Sequence, residues 1–172
     1  MRARWWNVVT GQPQAKKRDA SSHAPCAKPS GETTLQCERL AFDTNAAIDS
    51  FRPDRPFPLP LSAARERFIP LFVLAELRLG ATRSRQAEEN TALVDQLLAR
   101  CRVVAADLDT IPFHVRVRDN LAKVRTVPQS LEKREGFHHD IWIAALCLQH
   151  ELPLLTSDSL FDLVSGLEVI HW

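Results

Sequence analysis

The stretch LAFDTNAAI, residues 40–48, places a short apolar run directly before an aspartate. Leu40, Ala41 and Phe42 have the composition of a short buried strand, and Asp43 ends it. The apolar residues that resume at Ala46 favour a helix after the strand. An aspartate at this junction has two ordinary explanations, since it can cap the following helix or serve as a ligand. The residues beyond this stretch must decide between them.

Strands and helices alternate along the rest of the chain. Apolar runs predict further strands at 68–70, 102–105, 153–158 and 167–172. The spacing of apolar residues predicts helices at 46–51, 71–81, 85–101, 109–126, 138–150 and 159–164. Alternation of this kind is typical of a parallel sheet. The sequence therefore predicts a three-layer α/β/α fold, with a central parallel sheet and helices on both of its faces.

The composition is that of one globular domain. The 172 residues are 45% hydrophobic and 25% charged, which is ordinary for such a domain. No apolar run approaches the roughly 18 residues that a membrane-spanning helix needs. The apolar piece near the N-terminus is too short for a secretory signal. We therefore expect a cytoplasmic protein with no membrane partner. The four cysteines include no C-x-x-C pair, which argues against structural zinc.

The N-terminal segment differs from everything after it. Residues 1–38 are rich in Pro, Ser, Gln, Ala and Lys, and this composition predicts a disordered extension. They carry six Lys/Arg against three Asp/Glu, whereas residues 39–172 carry sixteen against eighteen. A non-Met start codon near residue 35 would make the extension an artefact of gene prediction. The folded domain is therefore expected at 39–172. It is not broadly basic, so any nucleic-acid chemistry requires its own acids to be neutralised first.

Two of the acids end predicted strands. Asp43 follows Leu40–Phe42, and Asp158 ends the apolar stretch PLLTSD. Ligands of parallel α/β sheets bind beyond the carboxyl ends of the strands, so both acids are expected at that edge. Each could instead cap the helix that follows it.

Two further acids lie on predicted helices. Glu76 has apolar neighbours three and four positions away, and Asp140 precedes Ile143 and Ala144 on the helix at 138–150. A carboxylate on an apolar stripe is costly unless it is paired or binds a metal. The alternative for Glu76 is a buried pair with an arginine, and the alternative for Asp140 is a first-turn acid that the helix dipole favours.

The four acids can converge on one edge of the sheet. Carboxylates that share a cleft repel one another, and a cation relieves this repulsion. Oxygen ligands with room for water suit Mg²⁺ or Mn²⁺, and such an ion can activate water for attack on a phosphodiester. Asn45 is a candidate to bind a metal water or a phosphate, or else a plain turn residue. Thr156 is a candidate to orient Asp158, or else a turn residue.

The histidines, basic residues and aromatic residues give weaker indications of function. His138 and His139 precede Asp140, but consecutive helical residues point about 100° apart and cannot chelate one ion well. The two histidines are therefore interpreted as polar residues at a helix start. Arg116, Lys123 and Arg125 are the basic residues best placed to contact a nucleic-acid backbone. The aromatic residues Trp142, Phe161 and Trp172 are expected to fill the core.

The motifs together resemble those of PIN-domain ribonucleases, and more closely those of VapC toxins from bacterial type II toxin–antitoxin pairs. The matching stretches are FDTN at 42–45, VLAELRLGA at 73–81, HHDIWIAALCLQHELPLLTSD at 138–158 and FDLVSGLEVIHW at 161–172. Their order and spacing extend the resemblance over nearly the whole of 39–172. The extension at 1–38 and the Pro-rich linker at 51–60 depart from the pattern, which puts substrate preference in doubt more than chemistry.

The resemblance implies a specific activity and specific partners. It implies endonucleolytic cleavage of single-stranded RNA that depends on Mg²⁺ or Mn²⁺, a homodimer, and inhibition by a cognate antitoxin. It also assigns the site. The implied catalytic and metal-binding acids are Asp43, Glu76, Asp140 and Asp158, with Asn45 and Thr156 in support.

Three other functions fit part of the pattern. The chain could be a catalytically inactive PIN domain that acts as a binding module, although all four acids are present. It could be a PIN nuclease of RNA processing outside a toxin–antitoxin pair. An aspartyl phosphatase would use Asp43 as its nucleophile, but such enzymes usually carry a second aspartate two positions later, where this chain has Asn45.

Overall fold

The computed structural model describes residues 38–52, 62–124 and 136–172. The predicted extension lies outside the described residues except for Glu38. Most of the Pro-rich linker and Arg125 lie outside them as well.

The described residues form five strands, five helices and one short 3₁₀ turn. The strands are β1 (Arg39–Phe42), β2 (Glu66–Pro70), β3 (Arg102–Val104), β4 (Leu154–Leu155) and β5 (Val169–Ile170). The helices are α1 (Thr44–Ser50), α2 (Leu71–Arg83), α3 (Ala87–Leu98), α4 (Thr110–Lys123) and α5 (Phe137–Gln149), and the 3₁₀ turn is Phe161–Leu163.

All five strands are parallel, in the order β3-β2-β1-β4-β5. The predicted three-layer α/β/α fold with a central parallel sheet is confirmed. β1 is the middle strand, and its residues Leu40, Ala41 and Phe42 are fully buried. A strand that is covered on both faces needs apolar residues in succession rather than in alternation, and the run at 40–42 supplies them.

The helices form where the apolar spacing predicted them, with shifted ends. α1 begins at Thr44 rather than Ala46 because the side chain of Asp43 caps it. The helix predicted at 85–101 spans only Ala87–Leu98. Pro112 lies in the first turn of α4, where its missing N–H costs no helical hydrogen bond.

Two predicted elements near the C-terminus are shorter than expected. Only Leu154 and Leu155 of PLLTSD form a strand, because Thr156 and Asp158 hydrogen-bond to local backbone and turn the chain. The helix predicted at 159–164 is a single 3₁₀ turn.

The core contains most of the predicted apolar residues. Phe161 is buried, but Trp142 is only partly buried, and Trp172 is 37% exposed, so the prediction that Trp172 fills the core is wrong. Cys147 is buried among apolar side chains, which raises the pKa of its thiol to about 12. Among the described residues, no helix has the length and apolar character to cross a membrane.

Candidate active site

The sheet order creates a topological switch point between β1 and β4. From β1 the chain proceeds to β2 and β3 on one side, and later to β4 and β5 on the other. Ligands of open parallel sheets bind beyond the carboxyl ends of the strands at such a point. Asp43 directly follows β1 and Thr156 directly follows β4, so both lie there. The Asp43 N–H donates to the Leu155 carbonyl over 3.1 Å, which joins the two strand ends.

Asp43 is the most deeply buried acid of this edge, with 4% of its surface exposed. Its Oδ1 accepts a hydrogen bond from the Ala46 N–H at 2.7 Å, and its Oδ2 accepts one from the Thr156 hydroxyl at 2.6 Å. The first bond is a helix cap. The cap therefore exists, and it leaves lone pairs on both oxygens for another partner, since a carboxylate has about four acceptor sites.

The electrostatic environment of Asp43 disfavours its charge. The pKa of its carboxyl is raised from 3.8 to about 7, mainly by burial and also by the negative charges of Asp158 and Asp140. The hydrogen bonds from Thr156 and Ala46 act in the opposite direction but do not cancel the effect of burial. Three of the predicted site acids thus lie close enough to influence one another.

Asp158 lies in the turn after β4 and is partly buried. Its backbone N–H donates to the Thr156 hydroxyl oxygen at 2.9 Å, and its Oδ1 accepts from the Leu160 N–H at 2.9 Å. Thr156, predicted to orient Asp158, therefore contacts both strand-end acids. Its hydroxyl donates to Asp43 and accepts from the Asp158 N–H, and its side chain is fully buried.

Glu76 lies in the second turn of α2, with 23% of its side chain exposed. Its Oε2 accepts a hydrogen bond of 2.5 Å from the Thr44 hydroxyl, the residue next to Asp43. Its Oε1 lies 2.8 Å from Nδ1 of His139. The alternative of a buried arginine pair is not what the structure shows, since these two partners engage both carboxylate oxygens.

Asp140 lies in the first turn of α5, where the helix dipole favours an acid. Its N–H donates to the Gly136 carbonyl at 3.0 Å. Gly136 precedes α5 with φ = +98°, a conformation that other residues adopt only under strain. A Cβ on Gly136 would lie 3.8 Å from Oε1 of Glu76, so the start of α5 approaches Glu76 closely. α5 thereby brings Asp140 to the same edge as the other acids.

The remaining predicted residues lie at varying distances from this cluster. Asn45 is partly exposed in the first turn of α1, two residues after Asp43. Arg116 and Lys123 are exposed on α4, and the guanidinium of Arg116 lies 5.2 Å from the ring centroid of Phe113.

Sequence reasoning missed the roles of Thr44 and His139. Both hold Glu76, which lies 32 residues from Thr44 and 63 residues from His139. No local pattern predicts a contact over such separations. His139 was interpreted only as a polar residue at a helix start, although its position beside Asp140 was a usable signal.

The chemistry of this edge suits a hard cation, although no metal shell is preformed. Within 38–52, 62–124 and 136–172, no three His, Cys, Asp or Glu side chains are arranged to hold an ion directly. The acids supply oxygen donors, and the pKa of Asp43 is raised mainly by burial and also by the negative charges of Asp158 and Asp140, which a cation would offset. Mg²⁺ keeps several water ligands and is usually bound through one or two carboxylates. The carboxylates therefore fit an ion that some of them reach through water.

The match to a family model identifies this arrangement. The PIN domain model matches residues 40–167, well over half of the chain. The chain belongs to the PIN-domain family. The matched range runs from β1 to the residues just before β5 and includes all four acids, so the predicted family is confirmed. No curated protein sequence matches the chain significantly.

Several solved structures share the PIN fold of this chain. VapBC2 from Rickettsia felis, bound to a DNA fragment from its promoter, is 20% identical with a TM-score of 0.62. DNA-bound VapBC from Salmonella typhimurium is 23% identical with a TM-score of 0.61. Each alignment covers 78% of this chain and 98% of the other. VapBC-5 from Mycobacterium tuberculosis, described as a member of the VapBC family of toxin–antitoxin systems, is 22% identical with a TM-score of 0.58, over 78% and 99% of the two chains.

Proposed function

We propose that this PIN domain is a metal-dependent endoribonuclease that cleaves single-stranded RNA and acts as the toxin of a toxin–antitoxin pair. PIN domains are nucleases, which supports the hydrolase activity. The observation that carries the proposal is the convergence at the switch point. Asp43 follows β1, Asp158 lies in the turn after β4 and Asp140 lies in α5. The negative charges of Asp158 and Asp140 nevertheless add to the effect of burial in raising the pKa of Asp43.

In this mechanism Asp43, Glu76 and Asp140 would hold Mg²⁺ or Mn²⁺, with Asp158 as a further ligand or as an acceptor for a metal-bound water. The bound ion would supply activated water and charge stabilisation at the scissile phosphate. Thr156 fixes the orientation of Asp43 through its 2.6 Å hydrogen bond.

The partners of Glu76 have a positioning role in the same proposal. The Thr44 hydroxyl and His139 hold the two oxygens of Glu76 and so direct this carboxylate toward the cluster. Asn45 is exposed enough to donate to a phosphate or to a water on the ion. Exposed side chains of α4, Arg116 and Lys123, would attract the RNA backbone.

The direct test is cleavage of single-stranded RNA by the wild type and by Asp43→Asn, with and without Mg²⁺. We expect cleavage only by the wild type and only with the ion. The matched control is Asp119→Asn, an exposed acid of α4 that lies outside the cluster, and it should cleave like the wild type. Equal activity of the wild type and Asp43→Asn would refute the assignment.

The toxin role requires a protein partner. The solved structures of similar fold include VapBC complexes, which supports an antitoxin as the partner. The proposed homodimer rests on the resemblance to VapC toxins. The product of a neighbouring reading frame, co-expressed with this chain, should co-purify with it and abolish RNA cleavage. A nuclease that cleaves RNA but meets no such partner would belong to RNA processing instead. A chain that binds no Mg²⁺ in calorimetry would be a binding module.

A further inference from the structure

Four aromatic rings from three helices form a continuous row beside the acidic cluster. The ring centroid of His139 lies 5.8 Å from that of Phe72. Phe72 stacks on Trp142 with centroids 5.6 Å apart and an interplanar angle of 15°. Trp142 in turn lies 4.1 Å from the ring of His114. The row therefore runs from α5 through α2 and back to α5, and ends on α4.

His139 is the end of this row nearest the acids, and its ring is fixed. Its Nδ1 lies 2.8 Å from Oε1 of Glu76, and Phe72 packs against it. Even so, 48% of its side chain is exposed. An aromatic ring that only fills the core would be covered by its neighbours, whereas this ring is held in place and still open to solvent.

Two basic groups lie near the far end of the row. Burial lowers the pKa of His114, and the positive charges of Arg118 and His138 lower it further, so both groups lie near this ring. Arg118 is exposed on α4. The row thus has carboxylates at one end and basic side chains at the other.

We propose that the exposed side of the His139 ring is a stacking platform for one nucleobase of a single-stranded nucleic acid. The choice of ligand rests on the proposed function, because the adjoining carboxylates would act on the phosphodiester next to that base. Single-stranded nucleic acids are bound by aromatic faces for the bases and basic groups for the backbone, and both occur here. The Phe72–Trp142–His114 stack supports the platform and stops it from turning away when a base binds.

The test measures affinity separately from cleavage. Binding of a short fluorescent single-stranded RNA is followed by anisotropy in the Asp43→Asn background, in which the proposed function predicts no cleavage. His139→Ala should weaken binding by about 5- to 100-fold, since it removes one base–aromatic contact. His139→Phe keeps the ring but loses the bond to Glu76, and it should bind within about threefold of the parent if the ring dominates. His139→Gln keeps a polar group without a ring and should bind as weakly as His139→Ala.

An abasic substitution scanned along the RNA provides the second measurement. At one position the missing base should weaken binding by the parent but leave His139→Ala unaffected, because the two changes remove the same contact. His150→Ala, a histidine at the other end of α5, is the matched control and should change nothing. Thermal unfolding of each variant verifies that the fold is intact.

The outcomes separate the two proposals. Unchanged affinity in His139→Ala, or retained affinity in His139→Gln with loss in His139→Phe, would overturn the platform and leave the nuclease proposal standing. A wild type that cleaves no RNA would refute the nuclease proposal, whatever the binding data show. Parent protein that binds no single-stranded RNA would overturn the platform as well.

Discussion

The junctions after β1 and β4 follow one sequence pattern, an apolar strand that leads to an aspartate, but they differ in the structure. Asp43 immediately follows the middle strand, is almost fully buried, and caps a seven-residue helix. Asp158 lies three residues beyond the end of a two-residue strand, is partly exposed, and accepts a hydrogen bond from Leu160 in a turn. Position relative to the sheet makes the difference, since Asp43 directly follows the middle strand, whereas Asp158 lies beyond the end of β4 in a turn. Similar sequence patterns therefore produce a carboxyl with a raised pKa at Asp43 and a carboxyl that accepts a hydrogen bond within a turn at Asp158.

The largest expected effect concerns activity. Asp43→Asn should lower RNA cleavage by at least about 100-fold, while Asp158→Asn should lower it by roughly 10-fold, as expected of a more peripheral carboxylate. Initial rates at saturating Mg²⁺ measure both. If Asp158→Asn were the more damaging change, the order of importance drawn from burial would be wrong.

Thr156 links the two junctions, and its removal should affect both. Thr156→Val keeps the side-chain shape but removes the hydroxyl that donates to Asp43 and accepts from the Asp158 N–H. We expect the free energy of unfolding to fall by about 1–3 kcal/mol, because buried hydrogen-bonding groups lose their partner. Cleavage should fall by about 10- to 100-fold. Urea titration and initial rates report the two effects, and Thr156→Ser, which keeps the hydroxyl, should restore most of each.

The junction after β1 should also respond to pH. Because the pKa of Asp43 is raised from 3.8 to about 7, the folded protein binds a proton more tightly there than the unfolded chain does. Its contribution to stability therefore falls as pH rises from about 4 to about 7, and stays low above that. Asp43→Asn should unfold with a free energy on the order of 2 kcal/mol higher than the wild type at pH 8 without metal, and nearly equal at pH 4. Denaturant titrations at the two pH values would contradict the interpretation if the Asp43→Asn difference were independent of pH.

The smallest expected effect comes from the pair formed by His171 and Asp162, which contacts the chain just after β4. His171 Nδ1 donates to the Thr156 carbonyl at 2.9 Å, and Nε2 contacts Asp162 Oδ1 at 2.8 Å. Both partners are acceptors, which favours the charged ring and raises the pKa of His171, mainly through Asp162. This stabilisation is complete below the ordinary value of 6.5 and is lost as pH rises through the raised pKa.

His171→Gln should therefore be slightly less stable than the wild type at pH 6, and the gap should narrow toward pH 9. The effect is small because both side chains are nearly half exposed to solvent. Melting temperatures across this range measure it. A gap that widened with pH would show that the neutral ring is the form that the fold favours.

Much of the fold could be predicted because its signals are local. The apolar runs at 40–42 and 68–70 are strands, and the helices around Glu76 and Asp140 form where their spacing indicated. The errors arose where side chains compete with the backbone for hydrogen bonds. The sequence predicted a strand up to Asp158, but the side chains of Thr156 and Asp158 accept hydrogen bonds from nearby backbone and turn the chain after Leu155.

The four acids of the site could be predicted from the sequence, but the residues that hydrogen-bond to Glu76 could not. Each acid could be found because it interrupts an apolar context, which is visible in the sequence. The contacts of Thr44 and His139 with Glu76 join residues on different elements, and only the packing of α1, α2 and α5 brings them together.

The sequence by itself determined that strands and helices alternate, that the sheet is parallel, and that four acids come from its strand ends and neighbouring helices. These properties depend on local hydrophobic periodicity and on the chemistry of single side chains. The tertiary structure alone decided that β4 lies beside β1, which puts Thr156 within hydrogen-bonding distance of Asp43. It also decided that the charge of Asp43 is disfavoured, because desolvation depends on what packs around a group and not on its neighbours in the chain.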